Sequence, residues 1–188
     1  YLSVDGVTTY YVIEKKKMCI WGLGNIGEHV CRTAKHGFGM RVVGVKRNPE
    51  TASEEMKTLC DTIYDGENDS GKNWATLANV LSESDYVVGI LPGVSSTKHT
   101  FNASFFKTMK KGSVFINIGR GSCHDTFALM RALGCPAPGH EKGSEGEEWP
   151  KEGHLKGAFL DVFEEEPVPK NHPLWDAPEE KLLLYPHN

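Results

Sequence analysis

The chain has 188 residues, 39% of them hydrophobic and 24% charged, which suits a single domain with one sizeable core. Its net charge of −4 provides no broad basic surface, so we expect no nucleic-acid partner. No apolar run approaches the ~20 residues of a membrane span and no signal-peptide pattern opens the chain, so we expect no membrane partner and a cytoplasmic location, with an organelle left open.

Apolar periodicity predicts strands that alternate with helices along the chain. In chain order we predict a strand at 18–21, a helix at 26–35, strands at 41–45 and 62–64 around a helix at 51–59, a helix at 74–81, a strand at 85–91, a helix at 103–109, a strand at 113–118, a helix at 125–133, and strands at 157–160 and 182–184. This alternation predicts an α/β fold, a doubly wound parallel sheet covered by helices on both faces.

Two stretches fall outside this pattern. Residues 1–17 form an unassigned N-terminal extension of strand-like composition with a glycine turn, which leaves 18–188 as the main domain. Residues 134–153 are rich in Pro, Gly and Glu and exceed the usual connection of ~2 to 6 residues, so we expect a surface loop insertion there. His140 and His154 flank this loop, and we expect them to be solvated rather than metal ligands, with no metal site.

A glycine-rich motif, Gly22-Leu23-Gly24-Asn25-Ile26-Gly27, lies between the first predicted strand and the first predicted helix of the domain. In that context Gly22 allows a tight turn, Gly24 allows close approach of a pyrophosphate, and Gly27 allows close helix packing. The motif therefore predicts a Rossmann nucleotide-binding domain.

The end of the second strand of this domain indicates which dinucleotide is bound. An acidic residue there would bind the adenosine ribose hydroxyls, but the sequence has Lys46 and Arg47. Either cation could pair with a 2′-phosphate, which favours NADP(H). If both are solvated turn residues instead, NAD(H) remains the alternative.

Further motifs follow in a fixed order: Leu91-Pro92-Gly93 with Thr97, the segment 117–121, the segment 161–167, His172-Pro173-Leu174-Trp175, and Pro186-His187. Together with the glycine motif they resemble the successive signatures of the D-isomer-specific 2-hydroxyacid dehydrogenases over about 18–187. The cationic turn at Lys46 and Arg47 is similar to that of the NADPH-preferring glyoxylate/hydroxypyruvate reductases of that family.

The resemblance implies a role for each motif residue. Arg120 would bind the substrate, Glu166 would partner His187, His187 would be the acid/base, and Asp161 would contact the nicotinamide carboxamide. The implied cofactor contacts also include Asn25, Ile26, Leu91, Pro92, Thr97, Ile118, Gly119, Arg120 and His187.

Each implied catalytic role has a physical rationale. The planar fork of Arg120 can hold a carboxylate and the reacting carbonyl oxygen together. An imidazolium at His187, oriented by Glu166, can protonate that oxygen. We expect Glu164 and Glu165 to be solvated, and His29, His36, His99 and His124 to be structural or surface residues.

Members of that family also have a substrate-covering domain and form homodimers at full length. Only seventeen residues precede Met18 and one follows His187, so we expect this domain to be largely missing. The favoured hypothesis is a fragment of an NADP-dependent enzyme that transfers a hydride between its cofactor and a small 2-oxo or 2-hydroxy acid. The alternatives are a catalytically silent nucleotide-binding module and an unrelated Rossmann oxidoreductase or methyltransferase-like domain.

Overall fold

The computed structural model describes residues 2–4, 7–9, 12–66, 74–135 and 153–185, which contain nine β-strands and five α-helices. The strands are β1 (Leu2–Val4), β2 (Val7–Thr9), β3 (Lys17–Trp21), β4 (Arg41–Lys46), β5 (Thr62–Asp65), β6 (Tyr86–Gly89), β7 (Val114–Asn117), β8 (Gly157–Leu160) and β9 (Leu182–Leu184). The helices are α1 (Asn25–Arg32), α2 (Glu54–Leu59), α3 (Trp74–Glu83), α4 (Ala103–Thr108) and α5 (Thr126–Ala132).

Strands β3 to β9 form one parallel sheet in the order β5-β4-β3-β6-β7-β8-β9, which confirms the predicted α/β fold. Strands β1 and β2 pair antiparallel in a separate two-stranded sheet. The strand order reverses between β3 and β6, so the loops that follow these two strands diverge at the carboxyl edge of the sheet. Such a switch point is where open α/β sheets bind ligands.

Every predicted element of the main domain is present, with shifts of a few residues at its ends. The largest shift is at the helix predicted over 51–59, where a 3-10 turn at Pro49–Thr51 precedes α2. The hydroxyl of Ser53 accepts the N–H of Met56, and this N-cap sets the start of α2. At its C-terminal end, α1 continues into a π-helical turn at Thr33–Gly37.

The larger core lies between the sheet and helices α3, α4 and α5. Its centre is a set of edge-to-face aromatic pairs with ring centroids 5.0 to 6.5 Å apart, formed by Trp21, Phe101, Phe105, Phe106 and Phe115. This geometry suits the quadrupoles of the rings and adds to the large apolar area that they bury. The core thus packs against β3, β6 and β7, three neighbouring strands at the centre of the sheet.

The second core is smaller and packs α1 and α2 against β3 and β4. On this face the helical cover extends over part of the sheet. Phe159 of β8 is only partly buried and Leu183 of β9 is 55% exposed, because the described helices on this side lie over the other end of the sheet.

All five cysteines are free, buried thiols. The Sγ atoms of Cys31 and Cys60 lie 3.7 Å apart in the smaller core. Among the described helices, none combines the length and the apolar character needed to cross a membrane.

Candidate functional site

The glycine-rich loop joins β3 to α1 at the switch point, and its three glycines have different surroundings. Gly22 has φ +106°, and a Cβ there would lie 2.4 Å from the carbonyl oxygen of Ile90. A Cβ on Gly27 would lie 2.3 Å from the carbonyl oxygen of Gly22. A Cβ on Gly24 would meet no described atom within 4 Å. Gly22 and Gly27 are thus required by packing, whereas Gly24 faces the open side of the loop.

Lys46 and Arg47 differ in where they direct their charges. The Nζ of Lys46 donates to the carbonyl oxygen of Leu23, 2.9 Å away, so this ammonium stabilises the backbone of the glycine-rich loop. The Nη2 of exposed Arg47 donates to the Oγ of Ser96, also at 2.9 Å, in the loop that follows β6. Of the two cations that the sequence left open, Arg47 is therefore the one at the open rim between the two loops.

The loop after β6 is held by Thr97, which is 7% exposed. Its hydroxyl lies within hydrogen-bond distance of the Pro92 carbonyl oxygen and accepts the N–H of Val94 at 3.1 Å. Leu91 is partly buried, whereas Pro92 is exposed. Thr97 thus stabilises the conformation of this loop through hydrogen bonds to its backbone. The neighbouring residue Ser96, which binds Arg47, was not predicted from the sequence, because a single serine in a polar loop carries no signal.

Arg120 follows β7, and a buried amide sets the path of its backbone. The Oδ1 of Asn117 accepts the N–H of Gly119 at 3.0 Å, and its Nδ2 donates to the carbonyl oxygen of Arg120 at 3.1 Å. The Arg120 side chain is exposed, and its Nη1 donates to the carbonyl oxygen of Gly119 at 2.8 Å. Ile118 is partly buried and packs against the smaller core.

His124 lies beneath this loop with 0% exposure. The Nδ2 of Asn117 donates to its Nδ1 at 2.9 Å, so the proton of a neutral ring is on Nε2, which faces the hydroxyl of Thr126 at 3.3 Å. Burial lowers the pKa of His124 from 6.5 to about 4, so the ring is neutral at pH 7. His124 is therefore a structural residue of the Arg120 loop.

The loop after β8 carries Asp161 and Glu166. The N–H of Asp161 donates to the carbonyl oxygen of Asn117 at 3.0 Å, which places Asp161 beside the Arg120 loop. The carboxylate of Glu166 is exposed and accepts the N–H of Phe163 from its own loop at 2.8 Å. Pro186 and His187 lie outside the described residues, so the pairing of Glu166 with His187 stays a prediction.

Glu164 is an exposed residue, as expected, but its carboxylate is also bound by two neighbouring segments. Its side chain is 31% exposed, its Oε1 lies 2.6 Å from the Nε2 of His99, and its Oε2 accepts the N–H of Thr126 at 2.9 Å. Burial of the carboxyl raises its pKa, but the hydrogen bonds from Thr126 and His99 outweigh this effect and the net pKa is below the ordinary value. Three consecutive glutamates look alike in sequence, and only the loop conformation gives Glu164 these two partners.

His154 is half-buried rather than fully solvated, because its Nε2 hydrogen-bonds the carbonyl oxygen of Met109. His140 lies outside the described residues. Within the described ranges, no group of three or more His, Cys, Asp or Glu side chains is placed to hold a metal ion.

The site loops share one edge of the sheet. The glycine-rich loop, the Leu91 to Thr97 loop, the Arg120 loop and the Asp161 to Glu166 loop follow β3, β6, β7 and β8 respectively. Because all four strands are parallel, these loops leave the same carboxyl edge. This edge can therefore hold a phosphate-bearing ligand at one end and present a guanidinium and carboxylates at the other.

Comparison with known proteins gives one family. The family model described as D-isomer specific 2-hydroxyacid dehydrogenase, NAD binding domain, matches residues 5–135 and 148–188. The match omits 136–147, which lies inside the stretch that the sequence predicts to be an insertion.

Individual relatives agree with this match. The probable 2-ketogluconate reductase of Dictyostelium discoideum is 33% identical over 175 residues, or 93% of this chain and 43% of the relative. The glyoxylate reductase of Pyrococcus horikoshii is 36% identical over 177 residues, or 94% of this chain and 43% of the relative. The chain thus spans less than half the length of these curated relatives.

Among solved structures, a probable 2-hydroxyacid dehydrogenase from Rhizobium etli CFN 42, in complex with NADP, HEPES and L(+)-tartaric acid, superposes with a TM-score of 0.72 at 26% identity. The similarity covers 97% of this chain and 48% of that one.

Proposed function

Because this chain belongs to the D-isomer specific 2-hydroxyacid dehydrogenase family, we propose that it binds NADP(H) on its glycine-rich loop as the cofactor-binding part of a reductase for small 2-oxo acids. The observation that carries this proposal is the arrangement at the carboxyl edge of the sheet. There the Arg120 loop and the Glu166 loop lie side by side, and the loop between β6 and α4 connects this pair to the glycine-rich loop.

The residues at the glycine-rich loop fit a dinucleotide. Gly24 leaves open space where a side chain would otherwise obstruct a pyrophosphate, and the first turn of α1 begins directly after it. Positions 46–48, at the end of β4, offer the guanidinium of Arg47 and no carboxylate to a ribose, which supports NADP(H) over NAD(H). The Rhizobium etli relative was solved with NADP, which agrees with this preference.

The substrate class follows from the groups on the other side of the edge. The fork of Arg120 suits a carboxylate together with an adjacent carbonyl oxygen, the shared feature of glyoxylate, hydroxypyruvate and 2-ketogluconate. Two relatives are a glyoxylate reductase and a probable 2-ketogluconate reductase, and both names denote 2-oxo acid substrates.

In this proposal a bound reduced nicotinamide supplies the hydride that the carbonyl carbon receives. Arg120 orients the acid and stabilises negative charge on its carbonyl oxygen. His187 delivers the proton to that oxygen, and Glu166 stabilises the imidazolium. Asp161 would accept a hydrogen bond from the carboxamide of a bound nicotinamide.

A catalytically silent nucleotide-binding module is the second candidate. One observation favours it: the Glu166 carboxylate accepts a hydrogen bond from the N–H of Phe163 in its own loop.

Transfer of deuterium from NADPH to the product separates the two functions. NADPH deuterated at C4, in each of its two diastereomers, is mixed with stoichiometric protein and with glyoxylate, hydroxypyruvate or 2-ketogluconate, and the product is analysed for deuterium at C2.

The proposal predicts deuterium at C2 of at least one product, from one diastereomer only. We expect turnover far below a typical ~10 per second, because this chain spans 43% of the Dictyostelium discoideum relative and a partial site positions its substrate and excludes water less completely. Arg120→Lys should lose the transfer, whereas Arg41→Lys at the opposite edge of the sheet should keep it. Binding of NADPH with no deuterium in any product would instead establish the silent module.

A further inference from the structure

Three of the site loops are joined to one another by direct contacts. The N–H of His99 donates to the carbonyl oxygen of Ser122 at 3.0 Å, which links the loop after β6 to the Arg120 loop. A Cβ on Gly121 would lie 1.7 Å from the carbonyl oxygen of Phe163, so the backbones of the Arg120 loop and the Glu166 loop are in van der Waals contact. The relative position of Arg120 and Glu166 is therefore set at these contacts.

Glu164 is the side chain that connects all three loops. It belongs to the loop that carries Glu166, its Oε1 meets the ring of His99 in the loop after β6, and its Oε2 accepts from Thr126, six residues after Arg120. The bond to Thr126 is charge-assisted and lies at the first residue of α5, where a carboxylate is favoured. One carboxylate thus uses both oxygens to hold two neighbouring loops against its own.

The contacts on the buried side of the Arg120 loop do not replace this connection. Asn117 and His124 fix the path of the backbone between β7 and α5, but both residues belong to that same segment. The contacts that join this segment to the Glu166 loop include the Asn117 to Asp161 backbone bond at the sheet, the Gly121 to Phe163 packing, and the hydrogen bond from Thr126 to the carboxylate of Glu164. Among these three contacts, the one from Glu164 is the contact that a side chain makes.

We propose that Glu164 is a positioning residue: through His99 and the amide of Thr126 it holds the Arg120 guanidinium in the place where it receives the carboxylate of the 2-oxo acid. The inference rests on the function proposed above and names a residue that does not itself touch the substrate. Loss of the link lets the two loops separate, and displacement of Arg120 by about 1 Å is enough to weaken binding and reaction substantially.

The test measures the affinity of the NADPH-saturated chain for oxalate, a carboxylate probe that resembles a 2-oxo acid, by isothermal titration calorimetry. We expect Glu164→Ala to weaken oxalate binding about tenfold or more and to change NADPH affinity less than twofold. Glu164→Gln, which has the same shape and still offers an acceptor to Thr126, should recover part of the loss. Glu165→Ala removes the same charge from the adjacent exposed position and should bind oxalate like the wild type.

The partner residue provides a second measurement. His99→Ala should weaken oxalate binding in the wild type and have little further effect in Glu164→Ala, because the two side chains act as one link. Equal oxalate affinity in the wild type and Glu164→Ala overturns the positioning role while leaving the proposed function intact.

If the wild type binds NADPH but no oxalate, the substrate site of the proposed function fails in this chain. The loop geometry is then read from the amide signals of Gly119, Arg120 and Gly121 in two-dimensional NMR spectra. Shifts of these signals in Glu164→Ala, and none in Glu165→Ala, support the link between the loops. Unchanged signals in both variants refute it.

Discussion

His124 should make the stability of the protein depend on pH between its ordinary pKa of 6.5 and its folded-state pKa of about 4. The ring is fully buried and hydrogen-bonded in its neutral form, and burial lowers its pKa from 6.5 to about 4. In the unfolded chain the same ring titrates near its ordinary pKa. Between these two values the unfolded state binds a proton that the native state excludes, so stability falls as the pH falls.

The magnitude follows from the gap between the two pKa values. A gap from 6.5 to about 4 corresponds to about 3 kcal/mol once both states are protonated. Between pH 7.5 and pH 5, His124 alone should lower the free energy of unfolding by about 2 kcal/mol. Its contribution is fully present above the unfolded pKa and is lost as the pH falls toward the folded pKa.

Urea denaturation at a series of pH values measures this dependence in the wild type, in His124→Gln and in His36→Gln. Both substitutions remove an imidazole, but His36 is exposed. We expect His124→Gln to be less stable at pH 7.5, because it disturbs a packed site, and to lose less stability than the wild type on going to pH 5. His36→Gln should keep the wild-type slope. The same slope in the wild type and in His124→Gln would refute the buried neutral ring.

Two further predictions concern the glycine-rich loop and the core. Gly22→Ala should lower the free energy of unfolding by about 1 to 3 kcal/mol or more, because Gly22 has a positive φ and its Cβ would meet the Ile90 backbone. Gly24→Ala should keep the wild-type melting temperature and weaken NADPH binding. Thermal melts and NADPH titrations of both variants check this, and a destabilised Gly24→Ala would contradict it. Phe105→Ala should lower the free energy of unfolding, measured by urea denaturation, by about 3 to 5 kcal/mol, because the ring is fully buried among four other aromatic rings. A loss below about 1 kcal/mol would show that the aromatic cluster does not anchor the sheet.

The sequence predicted the sheet well because each central strand is a short apolar run bounded by turn residues. It placed Gly157–Leu160 and Leu182–Leu184 at their observed bounds. The predicted end of α2 was correct but the predicted start was wrong, because a 3-10 turn followed by the Ser53 N-cap looks like one continuous helix in the sequence.

The loops were harder to predict because their roles depend on contacts between segments that are distant along the chain. Glu164 meets His99 across 65 positions, and no local pattern distinguishes it from Glu165. The same holds for Lys46, whose ammonium binds the Leu23 carbonyl oxygen rather than remaining open at the rim. The aliphatic and glycine pattern specifies the edge where the site forms, but tertiary packing decides which charged side chains are directed into it.

Cofactor binding on the glycine-rich loop is tested by a paired titration of the chain with NADPH and NADH, carried out on the wild type and on Arg47→Ala. We expect the wild type to bind NADPH more tightly than NADH, by about tenfold or more, since a charge-assisted contact to the 2′-phosphate contributes about 1.5 to 3 kcal/mol. Arg47→Ala should remove most of that difference by weakening NADPH while leaving NADH affinity nearly unchanged. Equal affinities in the wild type, tighter binding of NADH, or no binding of either nucleotide would contradict this proposal.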